Sequence, residues 1–325
     1  MSWLNDARPV TWPDSFGTRF TIIVDTEEEF DWSAPLARTG HGVSAISALP
    51  DGAARFRDLG AAINLAVDYP VVTDGAAVDA LMAVVADARS EVGAQLHPWV
   101  NPPFDEVLTG RASFVGNLEL DLQAAKLDAL TDAISRAVGR RPRFYRAGRY
   151  GLGAETFALL AARGYSLDVS IRARYDYSPE GGPDYRDIGN GALRAGPGGA
   201  ILEVPFTTVF TGGLRGIGPF LDRAAVRVPK GRGILSRTRL LSRVSMSPEG
   251  IPLHEAREAI RIALGDGLRL LNFAFHSPSL VPGCTPYVRD AGELRAFWRW
   301  WDVVLGDLAR AGVRYATMDD ILAAA

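Results

Sequence analysis

The sequence predicts an α/β protein in which parallel strands form an open sheet or a barrel. Short runs rich in β-branched and aromatic residues alternate with longer helical patterns along all 325 residues, which is typical of parallel β/α architectures. Seven or eight such runs are present, and this number is close to that of a barrel. Because the chain has neither an internal repeat nor a low-complexity linker, we expect one domain over residues 1–325.

The predicted strands are short apolar or β-branched runs, and most of them end in a polar residue. In chain order they read FTIIVD, AINLAVD, VGAQLH, RFYRAG, YSLDVSI, ILEVPFTTV, LRLLNFAFH and the short VRYATM.

Three of the intervening segments have apolar residues at helical spacing. In residues 118–138, leucine and isoleucine recur at spacings close to a helical period. Residues 155–163 are followed by Gly164, in the position of a helix C-cap. Residues 291–311 form a third helical segment with tryptophans on its apolar face.

One segment departs from this alternation. Residues 211–250 contain eight Lys or Arg against two acidic residues, Asp222 and Glu249, and we interpret them as a basic insertion between two strands. Such a charge run is commonly a solvated surface. The alternative is a lid that attracts an anionic substrate, such as an acidic polysaccharide or a diphosphate-linked sugar.

The composition is that of a globular protein, with 47% hydrophobic and 22% charged residues. A formal charge of −3 argues against nucleic acid as a partner. Cys284 is the single cysteine, which excludes an intramolecular disulfide. Residues 1–17 do not have the pattern of a signal peptide, and no apolar run approaches a membrane span. We therefore expect a cytoplasmic protein.

In parallel β/α architectures, ligands bind at the carboxyl ends of the strands. The polar residues that close the predicted strands are therefore the first candidates for a functional site. They are Asp25 with Glu27 after it, Asp68, His97, Arg146, Asp168 and His276.

Asp25 and Glu27 are two positions apart, so on an extended chain their side chains face the same way. Two such carboxylates repel each other unless a cation or a proton lies between them, and a carboxylate beside a buried strand needs a partner. We expect a cation here, whereas Glu28, Glu29 and Asp31 fit a solvated acidic loop.

The two histidines at strand ends each have two interpretations. A lone histidine is more often a hydrogen-bonding residue than a metal ligand. Asn101 lies four positions after His97, and imidazole, carboxylate and amide oxygen together could form a weak divalent metal site. His276 either caps its strand by hydrogen bonding or acts as a general acid.

The order of these residues resembles that of a known family. An acidic pair, a histidine with a ligand-type residue four positions on, an arginine before Tyr-Gly, an aspartate and Phe-His-Ser follow one another over residues 22–280. This order is similar to the polysaccharide deacetylases with a NodB-type homology domain, the fourth carbohydrate esterase family. The segments DTEEEFDW, VDYP, HPW and TPY resemble a bacterial subgroup associated with cell-surface polysaccharide synthesis. The resemblance implies a distorted (β/α) barrel, usually of seven strands, that removes acetyl groups from N-acetylated sugars.

The resemblance also implies roles for individual residues. Asp25 matches the catalytic base, and Arg146 matches the arginine that orients it. Tyr150 matches the tyrosine whose backbone N–H stabilises the oxyanion. Asp168 matches an aspartate that braces either the arginine or the catalytic histidine, and His276 matches the general acid.

A divalent metal ion, zinc before others, is the cofactor that the resemblance implies. Glu27 and His97 match two of its ligands, and Asn101 stands where the family has a second histidine. Amides are poorer zinc ligands than imidazole, so the alternatives are a non-catalytic carbohydrate-binding relative and a metal-independent, allantoinase-like amidohydrolase. The expected sugar contacts are Asp68, Tyr69, Trp99 and Tyr287.

Overall fold

The computed structural model describes residues 4, 6–31, 33–40 and 42–325; Trp32, the last residue of the DTEEEFDW segment, lies outside them. The strands are β1 Arg8–Pro9, β2 Arg19–Thr26, β3 Asn64–Val67, β4 Val92–Leu96, β5 Phe144–Ala147, β6 Leu167–Asp168, β7 Leu193–Ala195, β8 Ile201–Glu203, β9 Thr208–Thr211, β10 Ser242–Ser245, β11 Leu270–His276 and β12 Arg314–Tyr315. The α-helices are α1 Leu49–Asp58, α2 Tyr69–Thr73, α3 Gly75–Val85, α4 Leu120–Val138, α5 Thr156–Ala162, α6 Gly218–Ala225, α7 Gly231–Arg237, α8 Leu253–Gly265, α9 Ala291–Arg310 and α10 Met318–Ala324.

The centre of the molecule is a curled parallel sheet. Within the described residues, seven strands pair as parallel neighbours in the order β11, β2, β3, β4, β5, β6 and β8. At one edge β7 and β1 continue the sheet antiparallel, and β12 pairs with the start of β2. The prediction of a distorted (β/α) barrel with seven strands is confirmed.

The barrel closes without a regular strand ladder between β8 and β11. Three backbone hydrogen bonds span the gap instead: Thr207 N donates to Asn272 O (3.2 Å), Met246 N to Thr207 O (3.0 Å) and Ala274 N to Met246 O (3.2 Å). The predicted strand ILEVPFTTV is interrupted here, because Pro205 has no N–H to donate. Its second half leaves the barrel as β9 and pairs with β10.

Helices cover the outer face of the barrel, so the central strands are buried on both sides. Ile22, Ile23 and Val24 of β2 have no exposed surface, which explains why this strand is continuously apolar rather than alternating. Phe56 of α1 stacks on Phe275 of β11, with ring centroids 5.8 Å apart.

The basic residues 211–250 contain two short helices, α6 and α7, and then form β10, which pairs with β9. Part of their charge is paired locally: Arg232 and Arg243 both bind Asp222, at 2.6 Å and 3.3 Å, and Arg223 pairs with Asp187. Their role as an insertion stays a prediction. None of the helices in the described part of the chain has the length and apolar character of a membrane span.

Candidate active site

A cavity of about 610 Å³ opens at the carboxyl ends of the parallel strands. Eight of the twelve residues predicted for the site line it: Asp25, Glu27, His97, Trp99, Arg146, Tyr150, His276 and Tyr287. The other four do not: Asp68, Tyr69, Asn101 and Asp168. The strand ends therefore converge as expected, but some of the predicted side chains lie behind the cavity wall.

Asp25 and Arg146 form a buried, two-point ion pair on the cavity floor. The Nε atom of Arg146 lies 2.9 Å from Asp25 Oδ1, and its Nη2 donates to Oδ2 at 3.0 Å. Arg146 is itself fixed, because Nη1 donates to Val169 O at 2.7 Å and the guanidinium lies over the Tyr150 ring. This arrangement offsets the charge of Asp25 and fixes its orientation.

His276 lies beside Asp25 because β11 and β2 pair in register at these two residues. Its Nε2 is 3.6 Å from Asp25 Oδ2, and its Nδ1 is 2.7 Å from Glu249 Oε2. Burial alone lowers the pKa of His276, but Glu249, Glu27 and Asp25 outweigh burial and raise it to about 10. His276 is thus a cation at neutral pH, with a proton available to a group in the cavity.

Glu27, His97 and Gln95 form a compact triangle on the opposite side of Asp25. Glu27 Oε2 lies 3.5 Å from His97 Nε2, and the Gln95 amide nitrogen lies 3.2 Å from each of these atoms. Burial raises the pKa of Glu27 to about 8, against the lowering effect of His276 and His97. Glu27 Oε1 and Gln95 Oε1 are buried without a hydrogen-bond partner among the described residues.

Glu28 and Asp68 lie behind His97, away from the cavity. The ring Nδ1 of His97 is 3.1 Å from Glu28 Oε2 and 3.7 Å from Asp68 Oδ2, while Trp99 Nε1 donates to Glu28 Oε1 at 2.8 Å. Burial raises the pKa of both carboxyl groups. A carboxylate at Nδ1 holds the proton there and leaves Nε2 as the acceptor that faces the cavity.

Asp68 therefore contacts the protein rather than the cavity. Its Oδ1 accepts from Val71 N (3.0 Å) as the N-cap of α2, and its Oδ2 accepts from Glu28 N (2.8 Å). The neighbouring Tyr69 packs against the core. Neither residue is placed to touch a ligand in the cavity.

Asn101 is fully buried and does not line the cavity. Its amide nitrogen donates to Pro102 O and to Lys126 O, both at 2.8 Å. The side chain thereby holds the turn after β4 against α4. The structure does not bring Asn101 together with Glu27 and His97.

Asp168 is linked to Arg146 through the backbone of residues 169 and 170. It accepts from the Ser170 hydroxyl at 2.6 Å, and Ser170 in turn accepts from Ala147 N at 2.7 Å. Burial raises the pKa of Asp168 and also that of the adjacent Glu203. Asp168 fixes the backbone on both sides of Val169, whose carbonyl binds Arg146.

A tight turn after β5 presents Tyr150 to the cavity. Arg149 and Tyr150 have positive φ angles of 54° and 61°, a conformation that side chains other than glycine rarely adopt and that is common at functional sites. Gly148 allows the turn to approach His97, since a Cβ at this position would lie 2.3 Å from His97 Cδ2.

Among the residues of the site that were not predicted from the sequence are Gln95, Glu249 and Arg172. Gln95 lies two positions before His97 on the same strand, so the period of two was a signal that could have identified it. Glu249 is one of only two acidic residues in residues 211–250, which was a weaker signal. Arg172 had no such signal, because nothing in its local sequence distinguishes it from a surface arginine.

Comparison with solved structures identifies the fold. No protein-family model and no curated protein matches the sequence. A protein described as a polysaccharide deacetylase from Mycobacterium smegmatis has a TM-score of 0.52 at 18% identity, over 97% of this chain and 92% of that one. The PuuE allantoinase has a TM-score of 0.52 at 15% identity, over 96% and 91%. A 4-alpha-glucanotransferase from Thermococcus litoralis has a TM-score of 0.53 at 11% identity, over 94% of this chain and 40% of that one.

The chain thus has the fold of the NodB-type polysaccharide deacetylases, as the order of its motifs predicted. The same fold carries different named activities in these neighbours. The residues around the cavity must therefore carry the functional argument.

Two groups of side chains could hold a metal ion. The ligand atoms of Glu28, Asp68 and His97 lie within 4.8 Å of one another, but hydrogen bonds already account for these two carboxylates, which lie behind the cavity wall. In the cavity-facing triangle, Glu27 Oε2 lies 3.5 Å from His97 Nε2, and Glu27 Oε1 and Gln95 Oε1 are buried without a hydrogen-bond partner among the described residues. Rotating the Gln95 amide by half a turn exchanges its nitrogen, which lies beside Glu27 and His97, for its oxygen. The triangle therefore fits a divalent metal.

Proposed function

We propose that this chain, which has the polysaccharide deacetylase fold, is a hydrolase that removes an acyl group, such as acetyl, from an N-acylated sugar. The observation that supports this proposal is the placement of Asp25 and His276 side by side on the cavity floor, 3.6 Å apart. Arg146 holds the first residue and Glu249 holds the second. Amide hydrolysis needs such a pair, because a water molecule must lose a proton and the departing nitrogen must gain one.

The pair accounts for the proton transfers of the reaction. Asp25 accepts a proton from the attacking water while the oxygen of that water forms a bond to the acyl carbon. When the carbon–nitrogen bond breaks, His276 donates its Nε2 proton to the nitrogen. The products are a free amino sugar and a carboxylic acid. Tyr150 is our choice for the backbone N–H that binds the oxyanion, because its turn faces the same cavity.

Glu27, His97 and Gln95 would hold a divalent metal ion in this site. When bound, the ion would polarise the acyl carbonyl and lower the pKa of water. We propose zinc, since imidazole and carboxylate are among the ligands that zinc takes in proteins. Glu28 and Asp68 would act as positioning residues that orient His97.

The shape of the cavity supports a sugar as the substrate. Its volume of about 610 Å³ lies in the range of small-molecule sites. Tyr287 is 37% exposed and stands parallel to the His276 ring, so it offers a face for a sugar ring. Trp99 is only 2% exposed and stacks on His97, so its main contact is with that ring.

Acetate release from a panel of N-acetylated oligosaccharides tests the proposal. We expect Asp25→Asn and His276→Gln each to lower kcat roughly 100- to 10,000-fold without loss of folding. Glu91→Gln is the matched control, because Glu91 also forms a two-point pair with an arginine, Arg143, at 2.6 and 2.9 Å, but lies at the start of β4. Equal acetate release by all three variants and the wild type would contradict the proposed roles.

Zinc affinity tests the metal site independently of turnover. Competition with a chelator should show that Gln95→Ala and His97→Ala weaken zinc binding at least roughly tenfold, whereas Asn101→Ala should leave it unchanged. If Asn101→Ala loses zinc and Gln95→Ala does not, Asn101 rather than Gln95 is the third ligand.

A metal-independent amidohydrolase is the second candidate. The observation in its favour is that the Gln95 amide nitrogen already hydrogen-bonds both Glu27 and His97, a contact that needs no ion. Acyl release by a wild-type protein that binds no zinc would favour this candidate.

A further inference from the structure

Three arginines line the cavity, and they differ in their partners. Arg146 is paired with Asp25, and Arg149 is paired with Glu180. Among the ion pairs formed by the described residues, none includes Arg172, although it lines the same cavity. A half-buried guanidinium without a carboxylate is unusual, because taking a charge out of water is costly unless it is paired.

The protein contacts of Arg172 are neutral. Its Nε and Nη2 donate to the hydroxyl of Ser245, at 3.1 and 2.9 Å, and Nη2 also donates to the hydroxyl of Tyr175 at 3.0 Å. The guanidinium lies 3.7 Å from the ring centroid of Tyr175 and 5.3 Å from that of Phe206. Ring faces attract a cation but neutralise none of its charge. These contacts fix the position of the arginine and leave its charge uncompensated.

A second arginine lies on the other side of Tyr175 from Arg172. Tyr175 is held between Arg172 and Arg243, whose guanidinium is also 3.7 Å from its ring centroid. Burial raises the pKa of Tyr175, but the two arginines outweigh burial and lower it. The nearby Glu249 is paired with His276 rather than with Arg172, because His276 Nδ1 lies 2.7 Å from Glu249 Oε2.

Arg172 also lines a small pocket of about 50 Å³ together with Asp25, Glu249 and His276. Both carboxylates of this pocket already have a cationic partner, since Asp25 pairs with Arg146 and Glu249 with His276. A pocket of this size holds a small group rather than a sugar ring. Arginine binds carboxylate and phosphate oxygens through its parallel N–H groups. Because Asp25 lines the same pocket, an anionic group bound to Arg172 would lie beside the acyl group that reaches Asp25, as two substituents of one sugar do.

We propose that Arg172 forms a subsite for an anionic substituent, a carboxylate or a phosphate, on the N-acylated sugar. This inference rests on the proposed function for its sugar and extends it to the substrate class. It also moves the expected anion from the basic residues 211–250 to the wall of the cavity.

Calorimetric binding at constant ionic strength tests the subsite. The probes are N-acetylglucosamine, N-acetylglucosamine 6-phosphate, N-acetylmuramic acid and inorganic phosphate. We expect the wild type to bind at least one anionic sugar roughly ten- to a hundredfold more tightly than the neutral sugar. Arg172→Gln should abolish this preference, and Arg172→Lys should retain part of it. Arg227→Gln, which removes an exposed charge from residues 211–250, is the matched control and should retain all of it.

The other possible results bear differently on the subsite and on the proposed function. Equal binding of neutral and anionic sugars by the wild type would overturn the subsite and leave the proposed function standing. A preference that survives Arg172→Gln and disappears in Arg227→Gln would also overturn it. If inorganic phosphate binds through Arg172 while no sugar binds, the subsite stands and the sugar substrate falls. If neither phosphate nor any sugar binds, the subsite is overturned as well.

Discussion

At the scale of single residues, His276 shows how neighbours determine the chemistry of a side chain. A histidine at the end of an apolar strand was compatible with a strand cap or with an acid. Its contact with Glu249 at 2.7 Å and its raised pKa of about 10 favour the acid. Glu249 reaches His276 from 27 residues earlier in the chain, so no local pattern connects them.

The pH dependence of kcat/KM should reveal this contact. Because the pKa of His276 is raised to about 10, its proton is present at neutral pH and is lost as the pH rises through that value. The alkaline limb of the profile should therefore lie near pH 10. Glu249→Gln removes a negative charge, so it should lower the pKa of His276 and move the limb to lower pH. A limb in the same place in both proteins would remove Glu249 from this role.

At the scale of elements, helix α4 positions the turn that follows His97. Lys126 is fully buried, and its Nζ donates to the carbonyls of Pro98 (3.0 Å), Asn101 (2.7 Å) and Pro103 (2.5 Å). It also pairs with Glu106 at 3.1 Å. The proline-rich turn therefore takes its shape from a lysine on the next helix.

Lys126→Met should destabilise the protein by about 3–5 kcal/mol, because it leaves three carbonyls without their donor and Glu106 with only Arg38 as a cationic partner. Arg136→Met is the control on the same helix; Arg136 is exposed, and its replacement should change the free energy of unfolding by less than about 0.5 kcal/mol. Urea denaturation measures both values. A similar small change in both variants would show that the turn holds without Lys126.

At the scale of the whole molecule, the barrel depends on the seam between β8 and β11. Asn272 is central to it, because its N donates to Thr207 Oγ1 (2.9 Å), its O accepts from Thr207 N (3.2 Å) and its Nδ2 donates to Val204 O (3.0 Å). The Asn272 side chain therefore supplies one of the hydrogen bonds that a regular ladder between β8 and β11 would provide.

Asn272→Ala should therefore lower the free energy of unfolding by about 1–3 kcal/mol, since Val204 O loses a buried donor. Asn117→Ala is a matched control: the Asn117 side chain donates to two backbone carbonyls, at 2.9 and 2.8 Å, but in a partly exposed loop where water can replace it. Equal losses in the two variants would mean that the seam is not a weak point of the barrel.

Much of the fold and part of the site could be predicted from local pattern. Strand periodicity and strand-closing polar residues identified Asp25, His97, Arg146 and His276, because side chains at the carboxyl ends of parallel strands must meet at one edge. Asn101 was predicted as a ligand because its spacing from His97 matched a ligand pattern, whereas its amide nitrogen donates to Lys126 O. Its role in metal binding stays a prediction.

The sequence by itself determined the seven-stranded α/β architecture and the order of polar residues at its strand ends, because hydrophobic periodicity is a local property of the chain. Only the tertiary structure decided which of these residues meet. It placed Gln95 between Glu27 and His97, Glu249 against His276, and Arg172 in the cavity wall without a carboxylate. These contacts join residues far apart in the chain, and they follow from strand register and loop packing.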